Sequence, residues 1–360
     1  LITEIIIYSI ITLFLLGALN LYNGFSFQLK RKSKLSSLPD LSLIIALKNE
    51  AHNINSLFDS LNQLDYPIEK YEVIFVDDNS TDNTFKMLEE RSAKINHSIL
   101  KATDKKYEGK KGALSIGIEK AKYNFIVITD ADCSPEPFWL KEIAEALDSG
   151  YDFIFGVAPI TSGNNLVEKL SAFENLRNTF LSIGAVGINI PYSAAARSFA
   201  FRKRSFKRLG GYANTTETLS GDDDLLLREA VKNKMLIGTV IEPGAFVFSD
   251  PPKSFKEYFK QKKRHLQTSF HYLLKQKLFL GYWHIINLIS IASVLLTFFN
   301  PMFLLPVLVK FSYDFTITIK FQQQLGHNFR FYEIIFLQLL YEIFIVINFL
   351  KSLKGKVEWK

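Results

Sequence analysis

The chain has 360 residues, 48% of them hydrophobic and 14% aromatic, and 43 Lys and Arg against 36 Asp and Glu give a formal charge of +7. A single cysteine, Cys133, excludes an intrachain disulfide framework and thiolate zinc clusters, and the histidines show no HExxH spacing that would hold a catalytic zinc. The apolar share, with a mean hydropathy of +0.08, directs attention first to membrane segments.

In chain order, Glu4 is followed by an almost unbroken apolar run from Ile5 to Tyr22. At about 1.5 Å per residue this run nearly crosses a hydrocarbon core. Lys30, Arg31, Lys32 and Lys34 come after it. A secretory signal carries its positive charge before the apolar stretch and a small-residue cleavage site behind it. Residues 1–30 therefore read as an uncleaved anchor rather than a buried core helix, with the basic flank and the following domain in the cytoplasm.

Residues 40–250 have soluble character. LSLIIAL (41–47), YEVIFV (71–76), Ser98–Lys101 and FIVIT (125–129) read as strands, and 54–64, 84–93 and 113–121 as helices between them. This alternation predicts an α/β fold built on a doubly wound, mainly parallel sheet, in which ligands bind at the carboxyl ends of strands. Residues 251–278 differ. Phe255, Tyr258, Phe259, Leu266, Phe270, Leu273 and Leu274 recur at helical spacing among Lys256, Lys260, Lys262, Lys263, Arg264 and Lys275, the pattern of a basic amphipathic helix on a membrane surface. Residues 279–350 hold three further apolar segments, 279–299, 302–321 and 332–350. Lys310 and Asp314 stand one turn apart and able to pair, and Glu342 lies mid-segment. One anchor plus three crossings would put the basic tail, 351–360, outside, against the positive-inside preference; one segment is then re-entrant or interfacial, or the preference fails here. The positive charge concentrates beside apolar segments, so it fits a membrane surface better than nucleic acid.

Three acidic clusters follow strands or precede helices. Asp77 and Asp78 in FVDDNSTDNT end the second strand, where carboxylates accept hydrogen bonds from ribose hydroxyls or a base imide; the same residues also make good turn and capping chemistry. Asp130 and Asp132 in TDADC end the fourth strand, and an Asp-x-Asp pair there suits a hard divalent cation with oxygen ligands. GDDDLLLR (221–228) sets three aspartates before a helix-like run, where mutual repulsion raises at least one pKa toward that of a general base, and where Asp also caps a helix. Lys110 and Lys111 in GKKGAL sit beside a helix start, either at a diphosphate or in a solvated turn.

Taken in order, LIIALKNEAHNI, Tyr66-Pro67, Tyr71-Glu72, VDDNSTDNT, KKGALSIGI, ITDADCSPEPFWL and RLGGY resemble the family 2 glycosyltransferases of GT-A fold, over about residues 41–275. The resemblance points to the branch of cellulose, hyaluronan and chitin synthases and ceramide glucosyltransferase. It implies an inverting transfer from a UDP-sugar-type donor, with Mg²⁺ or Mn²⁺, to a lipid-linked or glycan acceptor at the membrane. By that resemblance Ala46, Glu50, Asp77 and Asp78 line the nucleoside pocket, and Lys111 and Asp130 lie near the donor. Asp132 and Asp130 hold the metal, and Asp223 is the base with Asp222 before it. Gln261, Arg264 and His265 match a Gln-x-x-Arg-Trp motif facing diphosphate and acceptor. Two positions depart from the family: His265 replaces the tryptophan that stacks on an acceptor sugar, and Ser198 stands where Asn is common. The first favours addition of a single sugar over processive polymerisation. A non-catalytic scaffold with a degenerate domain is the reading from another class, and the intact Asp130, Asp132 and Asp223 weigh against it.

Overall fold

The structure is a computed structural model and describes residues 1–30, 38–91 and 95–353. Arg31, Lys32, Lys34 and most of the basic tail lie outside the described residues. A sheet of seven strands runs in the order β3-β2-β1-β4-β7-β6-β8, formed by β1 (Leu41–Leu47), β2 (Tyr71–Asp77), β3 (His97–Lys101), β4 (Phe125–Asp130), β6 (Phe153–Gly156), β7 (Phe199–Arg202) and β8 (Ile237–Val240). β7 alone is antiparallel to its neighbours β4 and β6. The small β5 (Cys133–Pro135) and β9 (Val247–Ser249) pair with each other.

β1 reads as a continuous apolar run because both faces of the sheet are covered. Leu41, Leu43, Ile45 and Leu47 face α2 (Ile54–Leu61) and α5 (Trp139–Asp148), and Ile44 faces α4 (Gly109–Lys120). α4 comes close because Gly117 lies against Ile44 and Val76 with no room for a side chain. Its start at Gly109, where φ is +64°, puts Lys110 and Lys111 inside its first turn rather than before it. The short α3 (Thr84–Glu90), α7 (Lys203–Arg208) and α8 (Asp224–Lys232) complete the set around the sheet.

Residues 156–200, which carry no readable code in the sequence, hold α6 (Leu166–Gly187), the longest helix of this half. Asn165 and Glu168 cap it reciprocally. α6 is buried on most sides and is the wall between the sheet and the apolar helices. α1 (Ile2–Leu29) crosses it so closely that Gly24, Gly184 and Gly187 meet backbone to backbone. Phe25 packs on Phe180 and Phe321 beside the crossing. Gln28, at the end of α1, accepts a hydrogen bond from Thr239 of β8.

The basic amphipathic segment is two helices rather than one: α9 (Phe255–Ser269) ends in a turn, and α10 (Leu274–Ala292) begins before the expected boundary at residue 279. α10 with its 3₁₀ extension (274–298), the segment 301–321 that contains α11 (Leu304–Phe321), and α12 (Phe331–Ser352) join α1 as helices long and apolar enough to cross a membrane. α1, α10 and α11 form a bundle in which Phe14 stacks on Trp283 at 6.1 Å and Tyr313 donates to the Ala18 carbonyl at 2.7 Å. Lys310 and Asp314 pair at 2.6 Å as their spacing predicts, both fully buried; Glu342 of α12 takes the same ammonium, and Arg177 of α6 takes the same aspartate. Buried charges persist when paired in this way.

Candidate active site

The parallel register sets the site. Leu47 of β1 lies opposite Asp77 of β2, and Ala46 lies opposite Asp130 of β4, so the three parallel strand ends deliver these residues to one edge, where the strand order reverses beside β1. Asp77 is buried. Its Oδ2 accepts from the Ser80 amide at 3.3 Å, and its Oδ1 has no hydrogen-bond partner among the described residues. A buried carboxylate oxygen without a donor is costly, and a ligand hydroxyl or N–H would satisfy it.

Asp78, expected to line the nucleoside pocket, is buried and paired with Lys105 at 2.5 Å. Glu50 accepts from the Asn53 side chain, and its own amide donates to Thr84 Oγ1 at 2.8 Å. Asn49 and Asn79 take φ near +57° and +55°, which asparagine tolerates. The 49–51 turn is stapled to the 80–84 turn through Asn49–Ser80, Asn49–Thr81 and Ala51–Asp82 bonds. The turn chemistry of DDNSTDNT is therefore structural at Ser80, Asp82 and Thr84, and open to a ligand at Asp77.

Lys111, expected near the donor, is buried with its ammonium turned to two backbone carbonyls. Its ammonium donates to the carbonyls of Thr215 and Thr218, the latter at 2.9 Å, and burial lowers its pKa. Lys110 takes the central position instead: its Nζ lies 2.6 Å from Asp130 and 2.8 Å from Asp222. Burial disfavours that cation, yet the two carboxylates hold its pKa well above the usual lysine value.

The three consecutive aspartates separate by environment. Asp222, though buried, is held below the ordinary carboxylate pKa by Lys110. Asp224 is buried and fully engaged, accepting from Ser193 at 2.9 Å, the Ala194 amide at 3.0 Å and the Tyr272 hydroxyl at 2.7 Å. Asp223 is half-buried and caps α8, accepting from the amides of Ala196 at 2.9 Å and Asp224 at 2.7 Å. Its enclosure, and then the charges of Asp224 and Asp222, push its pKa well above the carboxylate range. Of the three, Asp223 has the environment of a base.

Asp130 and exposed Asp132, together with Cys133, bring their donor atoms within 4.8 Å of one another. Burial, and then the neighbouring carboxylates, keep the Cys133 thiol protonated, so the hard oxygens of Asp130 and Asp132 are the donors that fit Mg²⁺ or Mn²⁺.

α9 closes the site from the other side. Thr268 lies 3.1 Å from Ser220, next to the aspartate run. Gln261 and Arg264 are half-buried on this helix. His265 is exposed, so solvent moderates the desolvation that crowding imposes; with the charges of Arg264, Lys262 and Arg197 it still favours the neutral imidazole. Arg197 carries no signal in the sequence. It donates to the Ala158 carbonyl at 2.8 Å and to Ser249, fixing β9 beside the strand end of β6. Ser198 accepts from the Trp139 indole at 2.9 Å, which gives the departure from Asn a core role.

Residues 42–210 match the family described as "Glycosyl transferase family 2". Glycosyltransferase AglE of Haloferax volcanii is 30% identical over 145 residues, 39% of this chain and 47% of that protein. The probable glycosyltransferase YdaM of Bacillus subtilis is 25% identical over 254 residues, 68% of this chain and 59% of YdaM. The dolichol-phosphate mannosyltransferase of Pyrococcus furiosus is 29% identical over 148 residues, 41% of this chain and 39% of that enzyme. The chain thus spans about half the length of the curated relatives it matches. Among solved structures, the mannosyltransferase PcManGT from Pyrobaculum calidifontis, in complex with GDP-Man and Mn²⁺, superposes with a TM-score of 0.62 at 17% identity over 97% of this chain and 98% of that one. The likeness shows a shared fold, GT-A-like in the sheet domain, that extends over the apolar helices.

Proposed function

Because this chain carries a family 2 glycosyl transferase domain over residues 42–210, we propose that it moves a sugar from a nucleotide-sugar donor to an acceptor hydroxyl at a membrane surface, by one inverting displacement. The observation that carries this reading is the Lys110 bridge, which gathers Asp130 from the end of β4 and Asp222 from the loop before α8 into one cleft beside Asp77. Asp77 accepts hydrogen bonds from the nucleoside through its unpartnered oxygen. Asp223 takes the proton of the acceptor hydroxyl as that oxygen bonds to the anomeric carbon, while the bond to the diphosphate breaks and its electron pair leaves with the phosphate. Lys110 and Arg264 supply positive charge toward the diphosphate. Asp130 and Asp132 would hold Mg²⁺ or Mn²⁺, which when bound offsets the leaving-group charge.

Helices on both sides of the catalytic domain support a membrane enzyme with that domain in the cytoplasm, where nucleotide sugars are made. His265, standing where a stacking tryptophan is expected, supports single addition to a lipid-linked or glycan acceptor over polymerisation. The test is to incubate membranes holding the chain with radiolabelled UDP- and GDP-sugars, with and without a divalent-ion chelator, and to separate lipid-soluble from polymeric product. Label in the lipid fraction that chelation abolishes is the expected result. No transfer from any nucleotide sugar overturns the enzymatic reading, and label confined to polymer overturns single addition.

A further inference from the structure

Among the described residues four helices are long and apolar enough to span a bilayer, yet the fourth is built differently from the other three. α12 is about 33 Å long at 1.5 Å per residue, so a spanning α12 would have one end on the far side of the membrane. Both ends instead touch the catalytic half. Near its start Glu333 pairs at 2.5 Å with Lys169, in the first turn of α6. Near its end the Ser352 carbonyl accepts from Gln267 of α9 at 3.2 Å, and Asn348 donates to the Tyr258 hydroxyl at 2.7 Å.

Between those points Phe344 stacks on Phe259 and Phe255, so the second half of α12 follows the length of α9. α9 carries Lys256, Glu257, Lys260, Lys262, Lys263 and Arg264 and is fixed to the aspartate loop through Thr268, so it cannot lie within hydrocarbon. The far end of the bundle is marked elsewhere, by the turn joining α10 to α11, where Phe298 and Phe299 are 91% and 80% exposed.

The outward face of α12 is apolar along its whole length. Tyr332, Ile335, Leu339, Ile343, Val346 and Leu350 are exposed at helical spacing, and the inward face holds Gln338, Glu342 and Asn348 against the protein. Exposed Lys351 lies next to Leu350 at the end of that stripe and over the Phe259 ring, and exposed Lys256 and Lys260 adjoin Phe255 and Phe259, which stack on Phe344. We infer that α12 lies along the membrane surface rather than across it. Its stripe is seated at the boundary of headgroups and acyl chains, and its basic border faces anionic headgroups. α1, α10 and α11 are then the crossings, and the end of α12 lies on the same side as the catalytic domain. The inference rests on reading those three helices as spans, and not on the transfer chemistry.

The experiment places single cysteines at Lys207 on the exposed face of α7, at Phe299 in the far turn and at Leu353 after α12. A membrane-impermeant maleimide is applied to sealed vesicles of both orientations, with the parent chain and its buried Cys133 as background. Lys207→Cys and Leu353→Cys are expected to label in one orientation and Phe299→Cys in the other. Leu353→Cys labelling together with Phe299→Cys overturns the surface position of α12. Lys207→Cys labelling together with Phe299→Cys overturns the spans on which it rests. Nitroxides at Ile335, Ile343 and Leu350 give a second reading: equal depth supports a helix in the surface, and a depth greatest at Ile343 overturns it.

Discussion

Lys110 and Lys111 are neighbours in sequence and opposite in role. Successive residues on a helix point about 100° apart, and the start of α4 at Gly109 decides which of them enters the cleft. Lys110→Met removes the cation between Asp130 and Asp222, and turnover falls while the fold persists. The same change removes positive charge that favours ionised Asp223. The Asp223 pKa therefore rises, and the ascending limb of the pH–rate profile moves to higher pH; a merely structural lysine would leave that limb in place. Lys111→Met instead leaves two carbonyls without their donor and costs about 1–3 kcal/mol of stability, seen as a lower thermal midpoint. Asp223→Asn keeps donor binding and loses about 10²–10⁴ in rate, measured as single-turnover transfer. The carboxylates were legible because apolar runs ending in Asp mark strand ends in a parallel sheet. The choice between two adjacent lysines, the Lys105 partner of Asp78 and the role of Arg197 were not legible, because each depends on where a distant loop passes.

At the scale of elements, the period-2 and continuous apolar runs identified β1, β2 and β4, whose burial on both faces leaves little else for such a run to be. α6 escaped notice because it is buried on most sides, polar positions included, so that no single apolar stripe marks it. Glu174 finds Lys262 and Tyr258, and Arg177 finds Asp314, each contributed from 84 or more residues away. β7 was hidden for a related reason: an antiparallel strand inside a parallel sheet has the composition of any buried strand. The α1–α6 crossing depends on glycine. At Gly24 a Cβ would overlap the Gly184 carbonyl, so Gly24→Leu forces the helices apart. A cost of about 1–3 kcal/mol is expected, read from the midpoint of thermal unfolding in detergent, with a Leu13→Phe change on the exposed face of α1 as the neutral control.

For the whole molecule, the sequence posed a parity conflict, and the surface position inferred for α12 removes it, because contacts near both its ends are with the catalytic half. Composition alone cannot separate a spanning helix from one lying in the surface when both are long and apolar; the contacts at their ends can. The contact surface that α6 shares with the sheet, α1, α9, α11 and α12 has a practical consequence. Reducing the chain to residues 38–250 would leave Phe173 without Tyr341, Phe180 without Phe25 and Phe321, and Arg177 without Asp314. A fragment of residues 38–250 is therefore expected to partition into aggregates when expressed alone, and the chain with its apolar helices to melt in one transition in detergent, because the core is shared between the catalytic half and those helices.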